Sequence, residues 1–137
     1  PKRVKDNGVD YENCPAIDIR EYIYDMPTVL TAADVVIGRA GSATCNEIAA
    51  SGTPCILVPS PNVTNNHQEK NARVLESGGG AVVLLEKDCT AETLYGLIRQ
   101  LLADETHRAQ MSRKLHAQLR PDSTDRICAI VEEITGR

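Results

Sequence analysis

The stretch DVVIGRAGSATCNEIAASG, from Asp34 to Gly52, constrains the fold of this chain more than any other. Val35, Val36 and Ile37, followed by the small residues Gly38 and Ala40, read as a buried strand. The strand runs into the loop Arg39-Ala40-Gly41-Ser42-Ala43, and a helix is predicted from Thr44. Strand, glycine turn and helix in that order begin a parallel α/β unit, in which ligands sit outside the carboxyl ends of the strands. A helix N-terminus at that place offers unpaired N–H groups and a partial positive charge to an anion. The expected ligand is phosphorylated, a nucleotide being one such case.

The rest of the chain repeats this alternation. Ile17, Ile19 and Ile23 alternate with one slip and predict a first strand over 16–23. Asp25-Met26-Pro27 opens a short helix, with Asp accepting from first-turn N–H groups and Pro tolerated there. Gly52 is a helix C-cap, Thr53-Pro54 turns the chain, and Cys55 to Val58 is a further apolar strand stopped by Pro59 and Pro61. A helix from His67 to Ser77 follows, its inward face expected to be Ala72, Val74 and Leu75. Gly78-Gly79-Gly80 precedes a strand and reads as a helix stop, and Ala81 to Leu85 is the fourth strand. Thr90-Ala91-Glu92 is a capped start for a helix carrying Leu94, Leu97, Ile98, Leu101 and Leu102. An amphipathic helix over about Glu105 to Leu119 comes next, and Pro121-Asp122-Ser123 introduces a last one with Ile127, Ile130, Val131 and Ile134. Residues 1 to 14 read as a frayed helix end and a loop. Short apolar strands alternating with helices predict an α/β fold, a Rossmann-like parallel sheet with helices on both faces.

Composition narrows the function classes. At 137 residues the chain reads as one domain, and 42% apolar and 25% charged residues belong to a soluble globular class. A net charge of −4, with no Phe or Trp and four Tyr, argues against a broad nucleic-acid surface or a stacking platform. No run of about 18 apolar residues could span a bilayer, and the N-terminus lacks the apolar core of a signal peptide, so a cytosolic or peripheral location is expected. Five cysteines without a CxxC support neither zinc nor a disulfide scaffold, and Cys45, Cys55 and Cys128 lie in apolar patterns where a free thiol acts as a small hydrophobe. The basic run His107, Arg108, Arg113, Lys114, His116 and Arg120 reads as a solvated helix face rather than a contact with anionic lipid.

Two clusters carry chemistry. Thr44-Cys45-Asn46-Glu47 fits a capping box, but a carboxylate at that place can equally accept two hydrogen bonds from a ribose diol. In Asn66-His67-Gln68-Glu69-Lys70-Asn71, Asn66 and Glu69 can cap the helix while His67 and Asn71 share a face beside Gln68. Amides and an imidazole suit a polyhydroxylated ligand such as a sugar, whose hydroxyls both donate and accept. No Walker motif, GxGxxG, HExxH or nucleophilic triad is present, and no general base or metal-ligand set is apparent.

Ala33 through Thr44, Glu47 through Pro54, Val58-Pro59, His67-Gln68 and Asn71-Ala72 together closely resemble the donor-binding half of the MurG family. These bacterial transferases move N-acetylglucosamine from UDP-GlcNAc to lipid I in peptidoglycan synthesis. The resemblance runs from about Ile17 to the C-terminus and implies a GT-B C-terminal domain. It implies that the backbone of Ile23 meets the uracil edge, that Gly41, Ser42, Ala43 and Thr44 form the diphosphate loop, and that Glu47 holds the ribose hydroxyls. His67, Gln68 and Asn71 would read the sugar hydroxyls, and Arg39 would flank the phosphate loop or brace its turn. It further implies that residues 1–137 are a single donor domain lacking its first strand and the N-terminal acceptor domain. The catalytic base would belong to that acceptor domain, so this chain alone is expected to turn over little or nothing. The implied partners are UDP-GlcNAc and, through the other domain, lipid I, at the cytoplasmic face of the bacterial membrane, with no cofactor or nucleic acid; the family is stimulated by divalent metal, but no residues that would ligate one are expected here. A donor subunit of another UDP-sugar transferase and a non-catalytic nucleotide-sugar binding module remain the alternatives.

Overall fold

Cys55–Leu57 forms the middle strand (β2) of a three-stranded parallel sheet, flanked by Val36–Gly38 (β1) and Ala81–Val83 (β3) in the order β1-β2-β3. This computed structural model describes Gly8 and residues 13–119 and 122–136. Register runs Val36 to Cys55 to Ala81, Ile37 to Ile56 to Val82, and Gly38 to Leu57 to Val83. All three residues of β2 are fully buried. Such a strand must be apolar on both faces, which is why it reads as a continuous apolar run.

The helices are α1 (Met26–Ala32), α2 (Ser42–Ser51), α3 (His67–Ser77), α4 (Ala91–Ala103), α5 (Glu105–Gln118) and α6 (Ser123–Thr135). Asp25 caps α1 through Thr28 N (3.4 Å), with Pro in its first turn. Thr90 caps α4, its hydroxyl accepting from Thr93 N (3.2 Å) while Thr93 Oγ1 accepts from Thr90 N (2.9 Å). The pleat of β2 divides the core. Cys55 and Leu57 pack with Cys45 and Ile48 of α2, Ala72 and Leu75 of α3, and Leu115 of α5. Ile56 points the other way, among Leu84, Leu101 and Met111, with Leu94, Leu97 and Ile98 of α4 around them. Helices thus cover both faces.

Two glycines shape the edge opposite the carboxyl ends of the strands. Gly52, at φ 68°, caps α2 in the left-handed region, and a Cβ there would fall 2.2 Å from the His116 ring. A Cβ on Gly80 would lie 2.6 Å from Leu115 Cδ2. The last turn of α5 rests directly on these backbones.

Four expectations need correction. Residues 17–23 form no strand: only Ile19 and Ile23 are even half-buried, and Asp18 and Arg20 pair with each other in solvent at 2.7 Å, so the segment has too little apolar surface to dock on the sheet. The sheet therefore has three strands among the described residues, not four. Val74 is 63% exposed because Ala72 and Leu75 already define the buried stripe of α3, and Leu102 on α4 is exposed for the same reason beside buried Leu101. No residue of α6 is buried, so Cys128 is exposed with Ile127, Ile130, Val131 and Ile134 rather than packed. The expected loop over 1–14 lies largely outside the described residues, as do Arg120 and Pro121.

Ile56→Ala, which empties a fully buried site, should lower stability to chemical denaturation by about 2–5 kcal/mol, whereas Val74→Ala should stay within about 0.5 kcal/mol of the parent. Burial pushes the Cys55 thiol up to about 12, with Cys45 adding to the effect, and raises Cys45 by desolvation. An aromatic disulfide reagent at pH 8 should therefore label Cys128 in the folded chain and reach Cys45 and Cys55 only on unfolding, as mass mapping of the adducts would show.

Candidate functional site

The carboxyl end of β1 passes through Arg39 and Ala40 into α2, which starts at Ser42 and not at Thr44. Gly41 takes the cap position in an extended conformation (φ −64°, ψ 151°), and no side chain caps the helix. The first turn is therefore formed by Ser42 and Ala43, and Thr44 is its third residue. Glu47 is a further turn away and cannot reach back to the cap, so the predicted capping box does not form. The first bond of the helix is Cys45 N to Gly41 O at 2.9 Å. Among the described residues, nothing accepts from the amides of Ser42, Ala43 and Thr44. Three donors with the positive end of a ten-residue helix behind them face the carboxyl edge of the sheet.

The loop entering α2 is held from two sides. Asn71 Nδ2 on α3 donates to the carbonyl of fully buried Ala40 (3.1 Å). Arg39 Nη1 donates to the Val58 carbonyl just beyond β2 (3.1 Å) and pairs with the Glu86 carboxylate just beyond β3. Arg39 thereby ties the turn to the chain beyond β2 and β3. Its side chain crosses the carboxyl ends of the strands.

Glu47, exposed on α2, lines a cavity of about 200 Å³ together with Met26, Pro27, Leu30 and Thr31 of α1. The buried Thr53 hydroxyl fixes α1 against α2 by donating to the Leu30 carbonyl (2.6 Å), with Ser51 Oγ 2.9 Å away. Ile23, half-buried, belongs to the unpaired segment leading into α1 rather than to the end of a strand. Ser42 and Asn71 line a separate groove of about 560 Å³ between α2 and α3. It is the larger of the two, but apolar residues such as Ala49, Val74 and Leu119 line most of its length, well down the helices from the open amides.

At the start of α3, Asn65 (φ 55°) and Asn66 (φ 52°) both adopt left-handed backbone, a conformation asparagine tolerates better than most residues. Asn66 Nδ2 bonds Glu69 Oε2 (2.7 Å), side chain to side chain, so the expected cap of the helix amides is not made. Gln68 Oε1 accepts from Ser60 N (2.9 Å), and His67 Nδ1 sits 2.9 Å from the Thr64 carbonyl. The first turn of α3 is thus tied to the loop after β2. Sequence reasoning missed Glu86, which lies 47 positions from its partner. Its one signal is an acidic residue immediately after the apolar run Ala81 to Leu85, at the carboxyl end of the last strand. Among the described residues no cluster of three or more His, Cys, Asp or Glu is placed to hold a metal ion.

A parallel sheet under two helix layers, with an uncapped helix at the carboxyl end of β1, is the architecture of a GT-B glycosyltransferase C-terminal domain. Residues 2–127 match the glycosyltransferase family 28 C-terminal domain, and the chain belongs to that family. It is 45% identical over 120 residues to the UDP-N-acetylglucosamine–N-acetylmuramyl-(pentapeptide) pyrophosphoryl-undecaprenol N-acetylglucosamine transferase of Acetivibrio thermocellus, covering 88% of this chain and 32% of that protein. It is 41% identical over 134 residues to the protein of the same name in Thermoanaerobacter sp., covering 98% and 36%. The crystal structure of Acinetobacter baumannii MurG superposes with a TM-score of 0.83 at 27% identity, over 96% of this chain and 39% of that one. A glycotransferase of kitacinnamycin shares the fold (TM-score 0.66, 23% identity, 87% and 30% covered). The chain spans about a third of the length of the curated relatives it matches.

Thr53→Val keeps the shape but removes the side-chain donor to the Leu30 carbonyl, which retains only its bond from Ala33 N (3.2 Å). It should lower stability by about 0.5–1.5 kcal/mol and speed amide exchange in α1 relative to α3, measured by hydrogen exchange with mass spectrometry.

Proposed function

We propose that the chain is the donor-binding domain of a transferase that moves N-acetylglucosamine from UDP-GlcNAc to the muramyl 4-hydroxyl of lipid I. The observation that carries this reading is the open N-terminus of α2, three unpartnered amides at the carboxyl end of β1, with Glu47 one turn further along beside α1. In this proposal the amides of Ser42, Ala43 and Thr44 receive the diphosphate, and Gly41 lets the backbone approach it. Glu47 takes the ribose hydroxyls in the α1–α2 cavity, and the Ile23 backbone meets the uracil edge. Gln68 and Asn71, with His67 beside them, read the sugar hydroxyls.

The chemistry asked of these residues is binding, orientation and charge stabilisation. The acceptor hydroxyl attacks the anomeric carbon with inversion as UDP leaves, and charge builds on the β-phosphate. A helix terminus contributes about 0.3–2 kcal/mol toward that charge. The general base, worth about 10²- to 10⁴-fold in rate, is assigned to the acceptor domain of the intact protein. Residues 1–137 acting alone are then a binding domain with little or no turnover. Among the described residues no helix is long and apolar enough to cross a membrane, and the proposal places the intact enzyme peripherally at the cytoplasmic membrane face.

Calorimetric titration of the chain with UDP-GlcNAc, UDP-glucose and UDP tests the reading. UDP-GlcNAc should bind more tightly than UDP-glucose, and Glu47→Ala should weaken both UDP and UDP-GlcNAc by about 10- to 100-fold, the worth of a carboxylate's hydrogen bonds. Equal binding by the variant removes Glu47 from the site, and no binding by the parent chain removes the proposal.

A further inference from the structure

The pairing of Arg39 with Glu86 joins the two ends of the sheet's carboxyl edge and is unexplained by folding alone. Both side chains are well exposed, 53% and 40%, and an exposed ion pair contributes little to stability. Yet the geometry is specific. Arg39 spends a single nitrogen, Nη1, on both the Val58 carbonyl and the Glu86 carboxylate. Among the described residues its Nε and Nη2 make no hydrogen bond. Glu86 itself sits in a short 3-10 turn, Glu86–Asp88, and lines a cavity of about 240 Å³ with Pro59, Asn66 and Lys87 at the carboxyl ends of β2 and β3. The guanidinium is thereby laid across the strand ends one loop away from the open amides of α2, with donors to spare.

We propose that Glu86 is a positioning residue for the donor diphosphate: by fixing Arg39 through Nη1, it presents the remaining N–H groups of the guanidinium beside the amides of Ser42, Ala43 and Thr44. This rests on the donor-site reading above. A guanidinium forks toward phosphate when its plane is fixed, and a long side chain left unheld must lose rotamer freedom at the moment of binding. Glu86 makes that loss before the ligand arrives. Its own charge opposes the phosphates, so the benefit must come from orientation and not from attraction. The carboxylate and a neutral amide should therefore serve nearly equally, since Gln Oε1 can still accept from Arg39.

Titration of the full chain and its variants with UDP and with uridine separates these effects. Glu86→Ala should weaken UDP by up to about tenfold, the order of the cost of immobilising one long side chain on binding, and leave uridine unchanged. Glu86→Gln should bind UDP as tightly as the parent or more so. Arg39→Ala should lose UDP affinity, and the double variant with Glu86→Ala should be no weaker than Arg39→Ala alone, because Glu86 acts through Arg39. Unchanged UDP binding by Glu86→Ala, a parallel loss for uridine, an equal loss in Glu86→Gln, or additive losses in the double variant each overturn the proposal. If the parent chain binds neither UDP nor uridine, the donor-site reading itself has failed and this inference goes with it.

Discussion

The pairing of β2 between β1 and β3 is the constraint on which the other placements depend. Cys55, Ile56 and Leu57 are wholly removed from water, and each large apolar side chain so buried contributes about 1.5–3 kcal/mol. Because the pleat turns alternate residues to opposite faces, Ile56 demands one helix layer and its two neighbours another. Parallel pairing then requires each connection to return across the sheet, and α2 and α3 are those returns. All three carboxyl strand ends consequently lie along one edge, and the segments bearing Arg39, Gln68 and Glu86 converge there without any of these side chains packing in the core.

The same constraint explains what could be read from the residues and what could not. Helix boundaries set by local chemistry were legible: Asp25 before Pro27, Gly52 in the left-handed region, Thr90 ahead of α4, and the span from His67 to Ser77. Continuous apolar runs were legible as strands for a related reason, since a strand covered on both faces leaves no polar alternation to misread. The stretch 17–23 failed because it had the alternation of a half-buried strand but too little apolar surface to dock, only Ile19 and Ile23 being even half-buried. Val74 and Cys128 failed because periodicity gives the side of a helix and not how far the neighbouring layer extends over it.

Within the candidate site, the start of α2 was misplaced for a more instructive reason. Thr44 and Glu47 have capping-box spacing, yet Gly41 supplies an extended cap residue without a side chain and the helix begins two residues earlier. A hydroxyl or carboxylate cap would satisfy one of the first-turn amides internally. A glycine cap leaves them unpaired, which costs helix stability unless water or a ligand accepts from them. The residues that brace this loop, Asn71 and Glu86, lie 31 and 47 positions from the residues they hold. No local pattern encodes pairings at such separations. The asparagine was found only as part of a polar cluster, and the glutamate not at all.

In the proposed donor site, the two amides near the strand ends each serve both the scaffold and the ligand. Gln68 uses its oxygen to accept from Ser60 N, and among the described residues its nitrogen makes no hydrogen bond. Asn71 does the reverse, donating through Nδ2 to the Ala40 carbonyl and leaving its oxygen uncommitted. A carboxylate could not have donated to Ala40, and a lysine could not have accepted from Ser60. With one end of each amide anchored to the backbone, the opposite end is oriented before any ligand arrives, one as donor and one as acceptor. A sugar hydroxyl both gives and takes a hydrogen bond, so this complementary pair suits a polyol better than a second phosphate, which needs donors only. That asymmetry divides the edge electrostatically, with bare amides and a guanidinium around the entrance to α2 and neutral amides on the first two turns of α3.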